Sequence, residues 1–105
     1  MTTFNISLTP DAIIDSAIAN KQIGAAIRGE RKRMGLTRVK LTSDIGMSAI
    51  ALEKYESGEY AILTQSLMQV SCAFGYTVYQ SLYTLNVSLY PPHSMWRFQF
   101  TRSVD

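Results

Sequence analysis

The chain has few of the residues that bind metals, form disulfides or act as nucleophiles. Its 105 residues include one cysteine, Cys72, and one histidine, His93. A single cysteine cannot form a disulfide within the chain, so a reducing, cytoplasmic compartment is expected. His93 stands alone in a proline-containing stretch, and no histidine and cysteine cluster has the spacing of a metal site. Because the sequence also lacks a glycine-rich nucleotide-binding motif, we expect no enzyme, no metal and no cofactor.

Long apolar segments are also missing from the sequence. No apolar run approaches the length that crosses a bilayer, so we expect no membrane partner. The first residues, MTTFNISL, contain neither a basic segment nor an apolar one, and they predict no signal peptide. The hydrophobic fraction of 47% is that of an ordinary globular protein. At this length we expect one domain with one compact core.

Positive charge is concentrated in the middle of the chain. The formal net charge is only +2, but residues 21–54 contain eight cations against three acids, a local excess of +5. The remaining residues contain two cations against five acids. A local positive excess is what neutralisation of nucleic-acid phosphates requires, although a solvated basic helix face gives the same composition.

Both ends of the chain show the alternating pattern of β-strands, over residues 4–8 and 95–102. Between them, Thr9-Pro10-Asp11 predicts a helix start, with a capping threonine, a proline at the first helical position and an acid in the first turn. A break is predicted near Asn20, with one continuous helix through Lys21 as the alternative. The apolar face of this first helix is predicted to consist of Ile13, Ile14, Ala17 and Ile18.

Capping residues and glycines divide the rest of the chain into further helices. A helix over 21–34 is predicted to end at Gly35, with Ile23, Ile27 and Met34 on its apolar side. Thr37 and Ser48 can each cap a short helix, over 37–45 and 48–57, with Gly46 in the turn between the two and Gly58 at the end of the second. A fourth helix is predicted from Thr64 to Phe74, and a fifth helix after a Thr77 cap. The expected inward residues of the two short helices are Val39, Leu41, Ile45, Leu52 and Tyr55, and those of the fifth helix are Val78, Leu82 and Leu85.

The segment GLTRVKLTSDIGMSAIALEKYESG, residues 35–58, follows IGAAIRGERKRM and precedes LMQVSCAFGYT. At this spacing the chain from 23 to 82 resembles the Cro and phage-repressor helix-turn-helix family, also called Xre-like. The resemblance implies a mainly α fold, a five-helix lambda-repressor-like DNA-binding core. To this core the chain adds an N-terminal helix and short terminal β-strands. The expected organisation is an N-terminal extension over 1–20, a DNA-binding domain over 21–86 and a C-terminal extension over 87–105.

The resemblance also implies roles for individual residues. Residues 48–57 would lie in the major groove of DNA, with base contacts from Ala49, Ile50, Glu53 and Lys54. Phosphate contacts would come from Thr37, Arg38, Ser48 and Ser57. Arg31 and Glu56 would form a structural ion pair between the first and third helices of the core.

The chain departs from the family pattern at the first of these base-facing positions, because Ala49 and Ile50 have no hydrogen-bonding groups. Either side chain can contact the C5-methyl group of thymine. Glu53 can accept from a cytosine amino group, or pair with Lys54 or another cation. The acidic Glu59 follows the motif and would oppose phosphate binding.

A homodimer is expected because a two-fold operator needs two recognition helices. The tyrosines at helical spacing fit its interface, where tyrosine is enriched, or else half-buried positions in the core. The terminal strands are expected to pair with each other or with their copies in a second subunit, since one strand cannot satisfy its own backbone. The predicted interface residues are Tyr76, Tyr79 and Tyr83 on the fifth helix, and Trp96, Phe98 and Phe100 on the last strand.

The sequence thus predicts a bacterial or phage transcriptional regulator that binds double-stranded DNA as a dimer on a two-fold operator. An antitoxin is one alternative; it would regulate its own operon and contact a toxin partner through the terminal extensions. A second alternative is a protein-interaction module that has lost DNA binding.

Overall fold

A computed structural model of the chain describes residues 2–83 and 96–102. This part of the protein is mainly helical, with five helices and a three-stranded sheet. The strands are β1 (Thr2–Leu8), β2 (Thr77–Tyr83) and β3 (Trp96–Arg102). The helices are α1 (Pro10–Ile14), α2 (Ser16–Arg33), α3 (Arg38–Thr42), α4 (Ala49–Ser57) and α5 (Thr64–Ala73).

The two short central helices begin where the capping residues predict, and α4 also ends at the predicted glycine, Gly58. The Thr37 hydroxyl accepts a hydrogen bond from the backbone N–H of Lys40 at 3.1 Å, and Ser48 caps α4 in the same way. Gly46 has a φ of 53° in the turn between α3 and α4, and Gly58 has a φ of 80° at the end of α4. This left-handed conformation is unfavourable for residues with a Cβ, so glycine is required at both positions.

The core lies where the helices meet the sheet. Phe4 of β1 packs edge-on against Phe74, with ring centroids 5.7 Å apart, and stacks on Tyr76. Phe4 and Ile6 are buried together with residues of four later elements, so the N-terminal segment belongs to the same core as the helices. The buried residues of this core are Phe4, Ile6, Ile27, Leu41, Leu52, Leu67, Val70, Phe74 and Tyr76.

The sheet has the strand order β1-β3-β2, with antiparallel pairing on both sides of β3. Phe4 lies opposite Phe100 and Ile6 lies opposite Phe98. The prediction that the two terminal strands pair with each other is therefore confirmed within one chain. The register of β2 against β3 shifts between Thr77 and Ser81.

The predicted fifth helix is wrong, because Thr77 begins strand β2 instead. The segment TVYQSLY is rich in β-branched and aromatic residues, which favour strands. The neighbouring strand β3 also offers it backbone partners, as the observed pairing shows. Leu85, predicted to face inward on that helix, lies outside the described residues, as does His93.

The predicted apolar face of the first helix is wrong at three of its four residues, and Ile18 alone of the four is half-buried. Ile14 is 90% exposed and Ile13 is 47% exposed, whereas Ala12 is buried. The break falls at Asp15, whose side chain accepts a hydrogen bond from the N–H of Ala17 at 2.9 Å and so caps α2. The alternative of a continuous helix through Asn20 and Lys21 is confirmed, and the expected domain boundary at residue 20 lies inside α2.

Two expectations for α3 need correction. The helix ends at Thr42 rather than at Ile45, and Val39 is 69% exposed rather than inward. Residues two apart on a helix point about 200° away from each other, so Val39 and the buried Leu41 cannot both face the core.

Candidate nucleic-acid interface

The recognition candidate α4 is held against α2 by direct backbone contact. A Cβ placed on Gly24 of α2 would lie 2.2 Å from the carbonyl oxygen of Tyr55 and 2.5 Å from that of Glu56. Only glycine allows this approach, which fixes the position of α4 on the core. The sequence signal for the contact is a glycine inside a helical pattern, and our sequence analysis did not use it.

One side of the N-terminal half of α4 faces solvent, whereas Leu52 on the other side is buried. Ile50 is 69% exposed, Glu53 is exposed, and Ala49 is half-buried. These three residues line one side of an open groove of about 420 Å³ between α3 and α4. The rest of the lining comes from Arg31, Thr37, Arg38 and Val39. The structure therefore brings three of the predicted base-contacting residues and two of the predicted phosphate-contacting residues to one surface.

The predicted ion pair between Arg31 and Glu56 is present and buried. Arg31 Nε donates to Glu56 Oε2 at 2.7 Å, and its Nη2 donates to Oε1 at 3.1 Å. Its Nη1 donates to the carbonyl oxygen of Leu36 at 2.8 Å. The side chains are only 9% and 1% exposed, so the pair joins α2, α4 and the chain before α3 inside the protein.

Glu56 binds a second guanidinium, which the sequence analysis missed. Arg38 Nε donates to Glu56 Oε1 at 3.0 Å, and the Arg38 side chain is 35% exposed on the groove. Within the described residues, the terminal nitrogens of Arg38 make no hydrogen bond. Two guanidinium groups thus share one carboxylate, and these three side chains together carry one excess positive charge.

Lys54 is separate from this groove and is paired. Its Nζ donates to Glu59 Oε2 at 2.9 Å, and this hydrogen bond raises the pKa of Lys54 above its ordinary value. Glu53 and Lys54, both of which the structure describes, form no ion pair, so the predicted alternative for Glu53, pairing with Lys54, is wrong. In the described part of the chain, Glu53 makes no hydrogen bond or salt bridge. The groove therefore presents one carboxylate without a bound cation.

The three predicted phosphate-binding hydroxyls differ in what they can still donate. Thr37 and Ser48 accept from backbone N–H groups as helix caps, which leaves their hydroxyl protons for another acceptor. The Ser57 hydroxyl donates to the carbonyl oxygen of Lys54 at 3.0 Å. Ser57 would have to break this bond before it could donate to a phosphate.

Tyr76 does not belong to the exposed surface on which it was predicted. It is 2% exposed, and its hydroxyl donates to the buried carboxylate of Glu30, which also accepts from Arg33 Nε at 2.5 Å. Burial and the hydrogen bond to Glu30 raise the pKa of Tyr76, and the hydrogen bond to Glu30 raises the pKa of Arg33. The predicted role of Tyr76 in a dimer interface is therefore wrong, and the alternative of a core tyrosine is confirmed. The interface roles of Tyr79, Tyr83, Trp96, Phe98 and Phe100 stay predictions.

Residues 2–83 and 96–102 contain one cysteine and no histidine. No group of three or more histidine, cysteine, aspartate or glutamate residues in these ranges is arranged to hold a metal ion. Cys72 is exposed on α5, and none of the helices described is both long and apolar enough to cross a membrane. No protein-family model, no curated protein and no solved structure matches the chain.

Proposed function

We propose that this chain is a sequence-specific regulator of transcription that binds double-stranded DNA with α4 in the major groove. The fold proposed is lambda-repressor-like, with four helices from α2 to α5 in the DNA-binding unit and β2 in place of a fifth helix. The observation that carries the proposal is the outward first turn of α4. It presents Ala49, Ile50 and Glu53 beside the cationic Arg38.

The geometry of the two short helices supports this docking. A helix enters the major groove, which is about 12 Å wide, with its first turn towards the base edges. The backbone contact at Gly24 and the buried Arg31–Glu56 pair hold α4 in place without occupying that turn. The exposed terminal nitrogens of Arg38 then provide a phosphate contact, while Ile50 contacts a thymine methyl group and Glu53 accepts from a cytosine amino group.

A dimer is proposed because a two-fold operator needs two recognition helices about 34 Å apart. The enrichment of bound duplexes from a random-sequence pool tests both parts of the proposal. We expect an enriched site with two inverted half-sites spaced by about one helical turn. A pool that stays random after repeated selection would refute sequence-specific binding, and a single half-site would refute the dimer.

One observation favours a second candidate, a protein-interaction module on the same fold. Lys54 is paired with Glu59 and Arg38 is bound to Glu56, so two cations predicted to contact DNA are already engaged. Such a module would bind a protein through the exposed Val39 and Ile50 and would show no DNA binding. The antitoxin alternative has less support, because Phe4 and Ile6 of the N-terminal extension are buried in the chain's own core.

A further inference from the structure

Three cations lie in a row along the outer face of α2, away from the groove. Lys21, Arg28 and Lys32 are all exposed. At 100° per residue, their positions fall within about 40° of one another around the helix axis. At 1.5 Å per residue, the row is about 16 Å long. We call these three residues the α2 row.

No acid in the described part of the chain neutralises the α2 row. The salt bridges there involve Arg31, Arg33, Arg38 and Lys54, but none of the three cations of the row. The only acid of α2, Glu30, is buried and bonded to Arg33 and Tyr76. Asp105 is the only acidic residue of the sequence outside the described ranges. The row therefore keeps a charge of about +3 on one face of one helix.

The backbone beside the row is open to close approach. Ala25 and Gly29 lie next to the cations on the exposed surface of α2. A Cβ added to Gly29 would meet no atom within 4 Å, so the packing of the described residues does not require glycine there. Glycine inside a helix costs roughly 0.5–1 kcal/mol relative to alanine. Lys21, at one end of the row, lies against Gly58, so this end of the row is next to the C-terminal end of the recognition helix.

We propose that the α2 row is a second DNA-contacting surface, which binds backbone phosphates flanking the bases read by α4. This proposal rests on the proposed function and adds a contact that carries no sequence information. A row of unneutralised cations on a rigid helix matches a line of phosphates, and Arg28 and Lys32 are separated by a rise of about 6 Å. Each cation that neutralises a phosphate releases counterions and so increases the salt dependence of binding.

The test compares two variants with the same change in net charge. The first is Lys21→Gln/Arg28→Gln/Lys32→Gln. The control, Ser16→Glu/Gln65→Glu/Gln69→Glu, adds three negative charges at exposed positions outside the row, and Ser16 lies about 140° from Lys21 around the axis of α2. The Kd of each variant for the selected duplex and for random duplex is measured from 50 to 200 mM salt. Circular dichroism and thermal melts check that both variants fold.

We expect the α2-row variant to lower the slope of log Kd against log salt by about 2.7, from 0.9 per phosphate. Between 50 and 200 mM salt, the parent should lose about 40-fold more affinity than this variant. The preference for the selected site should stay that of the parent, since the phosphate contacts read no bases. The control should keep the parent's slope.

An unchanged salt slope in the α2-row variant, or a fall in slope equal to that of the control, would overturn the second DNA-contacting surface. The proposed function would still be supported in that case if the parent selects a specific site. A parent with no base preference, whose salt slope still falls in the α2-row variant, would refute the proposed function and leave the second surface standing. A parent that binds no duplex would overturn both.

Discussion

Replacement of Arg31 by alanine should be among the most destabilising single changes in the protein. The change removes both hydrogen bonds to Glu56 and the one to the Leu36 carbonyl oxygen, and it leaves a carboxylate that is 1% exposed. Removal of one partner of a buried ion pair costs about 3–5 kcal/mol. Because Arg38 still donates to Glu56 at 3.0 Å, we expect a loss near the lower end, about 3 kcal/mol.

Urea denaturation followed by circular dichroism measures this loss as a change in the free energy of unfolding. A loss of that size corresponds to a fall in Tm of about 12–24 °C for a domain of this class. Arg38→Ala is the matched control, since it removes one bond from a partly exposed arginine and should cost about 1 kcal/mol or less. If Arg31→Ala were no more destabilising than Arg38→Ala, the buried pair would not hold α2 and α4 together as described.

Three further predictions concern packing, pH and DNA affinity. Gly24→Ala should lower the free energy of unfolding by at least about 1–3 kcal/mol, because its Cβ would overlap two carbonyl oxygens. Gly29→Ala, the control, should leave the free energy of unfolding unchanged or raise it by up to about 1 kcal/mol. Thermal melts that rank the two variants the other way would contradict the packing of α4 against Gly24. The raised pKa of Tyr76 means that the folded protein holds this proton more tightly than the unfolded chain, so its stabilising contribution is complete below about pH 10 and is lost as pH rises through the folded pKa. Between pH 8 and pH 11, the urea midpoint should therefore fall more for the parent than for Tyr76→Phe. Equal falls in the two proteins would show that Tyr76 does not cause the loss of stability at high pH. Glu59→Gln frees Lys54 from its ion pair, so this variant should bind DNA more tightly at low salt and have a salt slope about one unit higher than the parent. Glu59→Asp, the control, keeps the charge and should bind like the parent. An unchanged salt slope in Glu59→Gln would place Lys54 away from the DNA.

Local chemistry made several parts of the fold and the site predictable. The caps at Thr37 and Ser48 and the glycines at 46 and 58 were read from residue type and spacing, because each satisfies a requirement of the adjacent backbone. The Arg31–Glu56 pair followed from the family resemblance and is confirmed.

The features that the sequence did not predict depend on distant parts of the chain. The spacing of Val78 and Leu82 fits a helix, yet the segment becomes β2, which pairs with a strand much later in the sequence. The second bond to Glu56 from Arg38 and the pairing of Lys54 with Glu59 depend on where the folded chain places the side chains. Composition and periodicity contain no information about such partners.

The central claim is that the first turn of α4 reads base edges, and Ile50 provides its most direct test. The Kd of the parent and of Ile50→Ala is measured for the selected duplex and for duplexes in which single thymines are replaced by deoxyuridine, which lacks the C5-methyl group. Loss of one buried methyl contact is worth about 0.8 kcal/mol, so one replacement in one half-site should weaken parent binding about fourfold and leave Ile50→Ala unaffected. Equal sensitivity of the two proteins at every thymine would contradict the placement of Ile50 in the major groove.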